Sequence, residues 1–371
     1  MKNLWNHAIF TLLSGAFLSL NATSEIGLFS QGDQELPECV PCGYSFPSGI
    51  QLCKGPNITL SVAYIGWYAN QGGFDLATTG LYDTQLNTIG FLPTTETVKY
   101  QNPSYSSGFK LNVSGETYSD QWLWTLGYTY YRQDSHQIVH APSENGATLL
   151  TTGWFAQSSG SGHQAPATSK LSSDWKLFID WLDCSLERPF YSGKKVTLST
   201  RLGLRAAWIA QKIDIGVTDP VNFVNSPQST SYSRNQSKCW GLGPRMGLET
   251  RYLFGSGIRM EGACGASLLY LQYTTLKHSE DILTPGINIP NYDLDGYQVL
   301  HPSLEAFLGI AWGRYIYNNA YHIDLSLNYE FNYLWGYNQI RAMNDLIIVG
   351  TGAAANDLFL HGVTLSMGFT F

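Results

Sequence analysis

The sequence predicts an all-β protein, an antiparallel transmembrane β-barrel of the bacterial outer-membrane type. Three observations lead to this fold class: segments that alternate apolar and polar residues, connections that alternate between short and long, and few charged residues among many aromatic ones. The alternation is clearest in the last segment, Val363–Phe371, where every second residue is large and apolar. Such a period-two pattern indicates a strand with one apolar face, which a soluble β-sandwich would also contain. The other two observations are therefore needed to distinguish a membrane barrel from a soluble sandwich.

The composition favours a sheet with one face in lipid. Of 371 residues only 13% are charged, against roughly 25% in an average soluble domain, and the formal net charge is -7. Aromatic residues make up 14%, with 23 Tyr and 11 Trp, and there are 37 Gly. Aromatic girdles and a lipid-facing apolar band produce such a composition. The absence of a Lys/Arg excess argues against a nucleic-acid partner.

The amino terminus reads as a cleaved signal peptide over residues 1–22. Lys2 precedes an apolar stretch from Ala8 to Leu20, and Ala22 offers a small residue for cleavage. A membrane anchor is the alternative, but the apolar stretch is short for a span. No later run reaches about 18 apolar residues, so a helical membrane protein is not predicted.

Residues 23–56 form a polar segment that contains Cys39, Cys42 and Cys53, three of six cysteines in the chain. A redox Cys-x-x-Cys pair would need a helix start, and a zinc site would need a fourth ligand nearby. Disulfides are the simpler interpretation in an exported protein, and the odd local count leaves at least one thiol for another partner. We expect no cofactor and no metal.

Ten segments with strand alternation make up the predicted barrel domain, residues 57–371. They lie at 58–69, 109–113, 122–130, 175–182, 196–212, 240–251, 258–268, 302–312, 321–335 and 363–371. About nine to eleven tilted residues cross a bilayer as a strand. Two further pieces, 147–156 and parts of 74–101, could add strands in pairs, so the prediction is ten to twelve. A barrel of that size has a narrow, partly plugged lumen.

Charged residues recur on one face of these segments. Arg201 and Arg205 share a face of an otherwise apolar strand, and two arginines cannot sit unpaired in a dry core. We therefore expect this face to line a watery lumen. The predicted pore-lining residues are Arg201, Arg205, Arg245, Glu249, Arg251, Arg259, Glu261, Glu305, Asp324 and Glu330. Five positive and five negative groups predict weak ion selectivity, although these groups could instead only brace the interior as ion pairs.

Connection lengths give an independent test, because outer-membrane barrels have short periplasmic turns and long external loops. Short links are predicted at 115–120, 186–194, 253–257 and 314–320, and long ones at 70–107, 133–171, 213–237, 274–297 and 336–356. Short and long links alternate without exception, which places both ends of the barrel domain on the periplasmic side. Val363–Phe371 should then pair with segments 321–335 and 58–69, and Phe371 should act as an assembly signal.

Two stretches resemble a known family. Cys39-x-x-Cys42 with Cys53 before the first strand is similar to chlamydial major outer membrane proteins. Residues 186–198 (L-E-R-P-F-Y-S-G-K-K-V-T-L) and 203–209 (G-L-R-A-A-W-I) resemble the related porins of legionellae and environmental chlamydiae. The resemblance implies a pore-forming outer-membrane protein with disulfide cross-linking of the envelope. Chlamydial members have more strands and cysteines than this chain shows.

The leading functional hypothesis is a porin, integral to the outer membrane, through which small polar solutes diffuse. The expected partners are membrane lipid, the barrel assembly machinery, and disulfide-linked envelope proteins or further copies of the chain. A non-conducting scaffold or adhesin is the alternative. An outer-membrane hydrolase is a third class, for which His322 and Asp324 share an inward face, but no catalytic motif supports it and we expect no enzyme.

Overall fold

The computed structural model describes residues 52, 57–83, 88–90, 97–117, 122–142, 148–155, 158–159, 162–163, 167–193, 195–218, 230–281, 291–294, 296–349 and 355–371. The predicted signal peptide at 1–22 lies outside the described residues, as do Cys39, Cys42 and Cys53.

Eighteen strands and one helix are described. In chain order they are β1 (Ile58–Gln71), β2 (Asp75–Asp83), β3 (Thr88–Gly90), β4 (Val98–Tyr100), β5 (Ser106–Glu116), β6 (Leu123–His140), β7 (Thr148–Thr151), β8 (Ser158–Ser159), β9 (Gly162–His163), β10 (Ala167–Thr168), β11 (Lys170–Ser192), β12 (Val196–Thr218), β13 (Thr230–Gly255), β14 (Ile258–Asp281), β15 (Asn291–Leu294), β16 (Tyr297–Ile316), β17 (Tyr321–Asn338), α1 (Gln339–Val349) and β18 (Asn356–Thr370).

Ten of these strands form a closed antiparallel barrel. The wall strands are β1, β5, β6, β11, β12, β13, β14, β16, β17 and β18, and each pairs with the next in this order. The barrel closes where β18 pairs with β1, from Thr59 opposite Thr370 to Gln71 opposite Leu358. Each of the ten predicted segments corresponds to one of these strands, and both predicted neighbours of the last strand are confirmed.

The wall has a turn end and a loop end. Four short connections, after β5, β11, β13 and β16, lie at the turn end together with Ile58 and Phe371. At one of them, Ser256 and Gly257 take left-handed backbone (φ 53° and 81°), as tight hairpins require. The five long connections lie at the loop end, so the turn end corresponds to the periplasmic side of such barrels.

Several strands run past their predicted limits at the loop end. The predicted loops 133–171, 213–237 and 274–297 begin or end inside β6, β12, β13 and β14, which reach His140, Thr218, Thr230 and Asp281. Outward residues there are polar, among them Lys212 and Asp214, so the apolar alternation stops while the strands continue. A strand that has left the lipid no longer needs an apolar outer face.

The two pieces that could have added wall strands form a separate sheet instead. Its strand order is β10-β7-β2-β3, with β4 also paired to β2, and we call it the plug sheet. Its buried residues Phe74, Leu76, Leu150 and Trp154 pack with inward residues of the wall, so this sheet lies against the inside of the barrel. The predicted range of ten to twelve strands therefore resolves to ten.

The outer face of the wall is apolar, and the inner face divides into two zones. Outward Leu202, Leu204, Leu242 and Met246 are more than half exposed, as lipid-facing residues are. Towards the turn end the inner face is polar. Towards the loop end the inner face carries large buried apolar side chains. Together with the plug sheet and α1 they form what we call the apolar layer. Its members include Trp67, Tyr131, Trp175, Leu177, Ile179, Trp181, Ile209, Leu271, Leu360, Tyr337, Ile340 and Met343.

We predict that the barrel seam depends on Phe371. Its backbone N–H donates to the Ile58 carbonyl and its carbonyl accepts from the Ile58 N–H, both at 3.0 Å. Deleting Phe371 removes both bonds and the terminal side chain, and should lower the amount of folded barrel in the membrane. Phe371→Ala keeps the two bonds, so its smaller loss measures the side chain as an assembly signal.

Quantitative surface labelling of cells measures these levels, with Phe190→Ala as the control because Phe190 is another exposed aromatic residue near the turn end. Normal surface levels of the deletion variant would count against this role for the seam.

Candidate functional site

The polar zone of the lumen contains a cavity of about 210 Å³. We call it the polar chamber. Residues from all ten wall strands line it, because every second residue of each strand points inward. Its charged lining residues are Lys110, Asp183, Arg201, Arg205, Arg245, Glu249, Glu305 and Glu330.

One ion-pair network lies on the side of the chamber nearest the apolar layer. Arg205 binds Asp183 through two hydrogen bonds of 2.6 and 2.8 Å, and reaches Glu305 at 2.8 Å. Arg245 also pairs with Glu305, and lies 3.8 Å from Asp183. The Arg205 guanidinium stacks on the Trp181 ring, 4.6 Å from its centroid. Two cations and two carboxylates therefore neutralise one another beneath the apolar layer.

A second network lies closer to the turn end. Arg201 pairs with Glu187 at 3.1 Å and also with Glu249. Arg251 pairs with Glu249 at 2.6 Å and with Glu187 at 3.7 Å. All four side chains come from β11, β12 and β13, so this network braces one wall of the lumen and does not cross it.

Two smaller networks complete the charged lining. Arg259 pairs with Asp324 at 2.7 Å and with Glu261 at 3.4 Å. Lys110 on β5 reaches across β1 and β18 to Glu330 on β17, at 2.5 Å. The four networks together contain six cations and seven carboxylates.

Glycines create the room for these long side chains. Arg201, Arg205 and Arg245 lie directly opposite Gly247, Gly243 and Gly203 on the neighbouring strand, and Glu305 lies opposite Gly265. Other carboxylates share the arrangement: Asp183 faces Gly127, Glu261 faces Gly309, Asp324 faces Gly313 and Gly368, and Glu330 faces Gly362. A Cβ atom at Gly265 would lie 2.9 Å from Glu305 Oε1, so a larger residue there would displace the carboxylate.

All ten residues that the sequence predicts for the pore lining lie on the inner face, and each belongs to one of the four networks. Six of them line the polar chamber, and Arg251, Arg259, Glu261 and Asp324 do not. Sequence reasoning missed three partners, Lys110, Asp183 and Glu187. Each is separated by an even number of positions from other inward residues of its strand, and this period-two spacing could have identified it as inward.

The chamber is closed towards the loop end by the apolar layer and by a contact that holds the plug together. Arg341 of α1 lies 3.3 Å from Asp75 of β2 and 3.1 Å from Asp345, and its guanidinium covers the Trp154 ring at 5.1 Å. Burial raises the pKa of the Asp75 carboxyl, which Arg341 opposes. This contact joins the plug sheet to α1. We call it the Arg341 latch.

His322 and Asp324, the pair considered for a hydrolase, do not contact each other as a catalytic pair would; each binds another residue. Both carboxylate oxygens of Asp324 are taken by Arg259, and the His322 ring packs against Tyr315 at 4.7 Å. Asp324 therefore orients the arginine. In the described part of the chain no three His, Cys, Asp or Glu residues are grouped so as to hold a metal ion. Among the described helices, none has the length and apolarity to cross a membrane.

A family model described as the Legionella pneumophila major outer membrane protein precursor matches residues 67–371. No curated protein matches the chain.

Solved structures with a similar course of the chain include the Escherichia coli outer membrane protease OmpT, at 10% identity and a TM-score of 0.37, covering 86% of this chain and 98% of the other. A major outer membrane protein from Thermus thermophilus matches at 12% identity and a TM-score of 0.30, covering 85% and 99%. A Pseudomonas aeruginosa FadL homologue matches at 9% identity and a TM-score of 0.22, covering 85% and 89%. These values are too low for any of the three to carry a functional argument.

We predict that the buried networks hold the barrel in one shape. Arg205→Leu leaves Asp183 and Glu305 without their shared cation, and removing one partner of a buried pair costs about 3–5 kcal/mol. Urea unfolding of the refolded protein in detergent measures the free energy of unfolding. As a control, Lys176→Ala breaks an exposed pair with Asp134 (2.9 Å), which is worth under about 1 kcal/mol. Equal losses for the two variants would contradict the assigned role of Arg205.

Proposed function

Since this chain belongs to the family of the Legionella pneumophila major outer membrane protein and folds as an integral outer-membrane β-barrel, we propose that it is a gated channel for small polar solutes. The polar chamber is the conduit, and the plug sheet with α1 is the gate in its closed position.

The observation that carries this proposal is the unequal filling of one lumen. Near the loop end the chain fills the barrel with residues such as Trp175, Leu177 and Ile179, which are fully buried. Near the turn end it retains six cations, seven carboxylates and an open cavity. Apolar residues of similar volume would brace a barrel at least as well as buried ion pairs do. Bracing alone therefore does not account for the open cavity between the networks, whereas the passage of water and solute does.

The gate is built from three of the long connections. The plug sheet comes from the connections that follow β1 and β6, and α1 comes from the connection between β17 and β18. Asn344 of α1 donates to the Gly153 carbonyl at 3.1 Å, and Trp154 donates to the Asp75 carbonyl at 2.7 Å. The Arg341 latch joins the same segments. Opening therefore requires these contacts to break together.

A non-conducting envelope scaffold or adhesin is the second candidate, and the closed apolar layer favours it. The long wall strands would then serve to carry loops beyond the membrane. Cross-linking through Cys39, Cys42 and Cys53 would suit this role and would appear as disulfide-dependent oligomers in non-reducing electrophoresis. In the described part of the chain Cys184, Cys239 and Cys264 are free thiols.

Breaking the latch should raise channel activity. Arg341→Ala removes the ion pair with Asp75 and the stacking on Trp154, so the gate should open more often. Single-channel recording in planar bilayers measures the open probability, and we expect at least a several-fold increase. Arg234→Ala is the matched control, because it breaks an exposed Arg–Asp pair of the same length, 3.3 Å to Asp281. If neither the wild type nor Arg341→Ala carried any current, the non-conducting scaffold would be favoured instead.

Charge changes in the chamber should alter selectivity in opposite directions. Lys110→Gln leaves Glu330 unbalanced and should shift the reversal potential in a KCl gradient towards cations. Glu330→Gln leaves Lys110 unbalanced and should shift it towards anions. The wild type, with nearly balanced charges, should lie between them. Identical reversal potentials for all three proteins would place the ion path outside the chamber.

A further inference from the structure

The wall loses its strand pairing at one place near the loop end, between β16 and β17. The last pair of these two strands is Ser303 opposite Leu334. Beyond it β17 turns away, because Gly336 takes left-handed backbone (φ 63°) and α1 follows, while β16 and β15 continue along β14. In the described part of the chain, no strand pairs with the other side of Asn291–Leu294 or of Tyr297–Pro302. We call these two stretches the open edge.

The part of the open edge nearest the membrane is closed by side chains. His301 Nδ1 donates to the Trp335 carbonyl at 3.0 Å, and Pro302 has no backbone N–H to leave unpaired. A strand edge in lipid needs such closure, because no water reaches its backbone groups there. The outward residues of β16 change at this height from Leu300, which is 56% exposed, to Gln298. The rest of the open edge therefore lies beyond the lipid, at the outer surface.

The two faces of β15 differ in chemistry. Tyr292 and Leu294 lie on the face that continues the inner face of β14, and each is 44% exposed. Asp293, on the other face, pairs with Lys277 of β14 at 2.6 Å. A strand added beside β15 would therefore meet apolar side chains on one face and a charged pair on the other.

We propose that the open edge binds an extended peptide segment of another protein, which adds to the wall as one more strand beside β15 and β16. The free N–H and C=O groups of a strand edge form a row of donors and acceptors that a further strand matches. Side chains of neighbouring strands contact each other across such a pair. The segment should therefore alternate apolar and polar residues, with the apolar ones beside Tyr292 and Leu294.

A second copy of the barrel does not fit the open edge. Barrel strands tilt by about 35–45° from the barrel axis. Two upright barrels in one membrane are related by an axis along the membrane normal, so β16 descends from the loop end in both. Their open edges would cross at about twice the tilt instead of lying side by side. A separate extended segment has no such restriction.

The binding of a strand does not depend on the channel. The open edge uses neither the polar chamber nor the Arg341 latch, so a barrel that carries no current can still bind a peptide. Ion current and peptide binding can therefore fail separately.

Peptide binding to the full barrel in lipid nanodiscs tests the proposal, with fluorescence anisotropy as the measurement. The probe is a labelled synthetic peptide of about ten residues, the length of a long strand, that alternates valine and threonine between terminal lysines. We expect saturable binding. The control peptide has the same side chains but methylated internal backbone nitrogens, which cannot donate hydrogen bonds, and it should bind at least several-fold more weakly.

A pair of variants locates the site. Leu294→Lys places on the open edge the residue that natural edges use to prevent strand addition, and should weaken binding several-fold. Asn291→Lys adds the same charge on the other face of β15 and is the matched control. Heat-dependent mobility in electrophoresis verifies that both variants are folded.

If Leu294→Lys fails to fold, the comparison of the two peptides on the wild type still decides. Absence of saturable binding would overturn the proposal, and so would equal binding of the two peptides. Equal affinities of folded Leu294→Lys and Asn291→Lys would also overturn it, since the peptide would then bind elsewhere.

Discussion

The width of a ten-stranded barrel is the constraint on which the rest of this structure depends. Closing the sheet leaves no strand edge unpaired in lipid, but at this strand number the interior is little wider than side chains can fill. Each inward residue must therefore find its partner inside the lumen. The chain meets this demand by placing glycine opposite charge: Arg201 faces Gly247 and Arg205 faces Gly243. The guanidinium groups can then extend over a neighbouring strand to a carboxylate, which explains why glycine occupies these positions.

The same constraint gives the lumen its two zones. Near the turn end, paired charges and missing side chains leave an open chamber. Near the loop end, the wall alone cannot fill the space, and the plug sheet and α1 supply the remaining side chains, with Phe74 packed edge-on against Trp175 at 5.3 Å. The external connections are thus part of the core. If the barrel conducts as proposed, these connections have to move.

Much of the fold could be predicted from the sequence, because period-two alternation and link length are local signals. These signals predicted the ten wall strands and the closure of the barrel by β18. They also predicted which side of β12 faces inward, because its arginines cannot face lipid. On β11 they were insufficient, because its more apolar face, with Trp175 and Leu177, points inward, and the face with Lys176 and Asp180 points outward. Asp183 and Glu187 were missed because that strand was ended too early. A partly plugged lumen followed from the strand number, but the segments that form the plug could not be predicted, because its contacts join residues far apart in the chain, such as Asp75 and Arg341.

The division of the lumen is tested most directly by locating ordered water in crystals of the refolded barrel. The account predicts water throughout the chamber between Arg201, Arg205 and Glu330, and none among Trp67, Trp175 and Leu177 in the apolar layer. A continuous column of water through the layer at Trp67, or a chamber without ordered water, would contradict it.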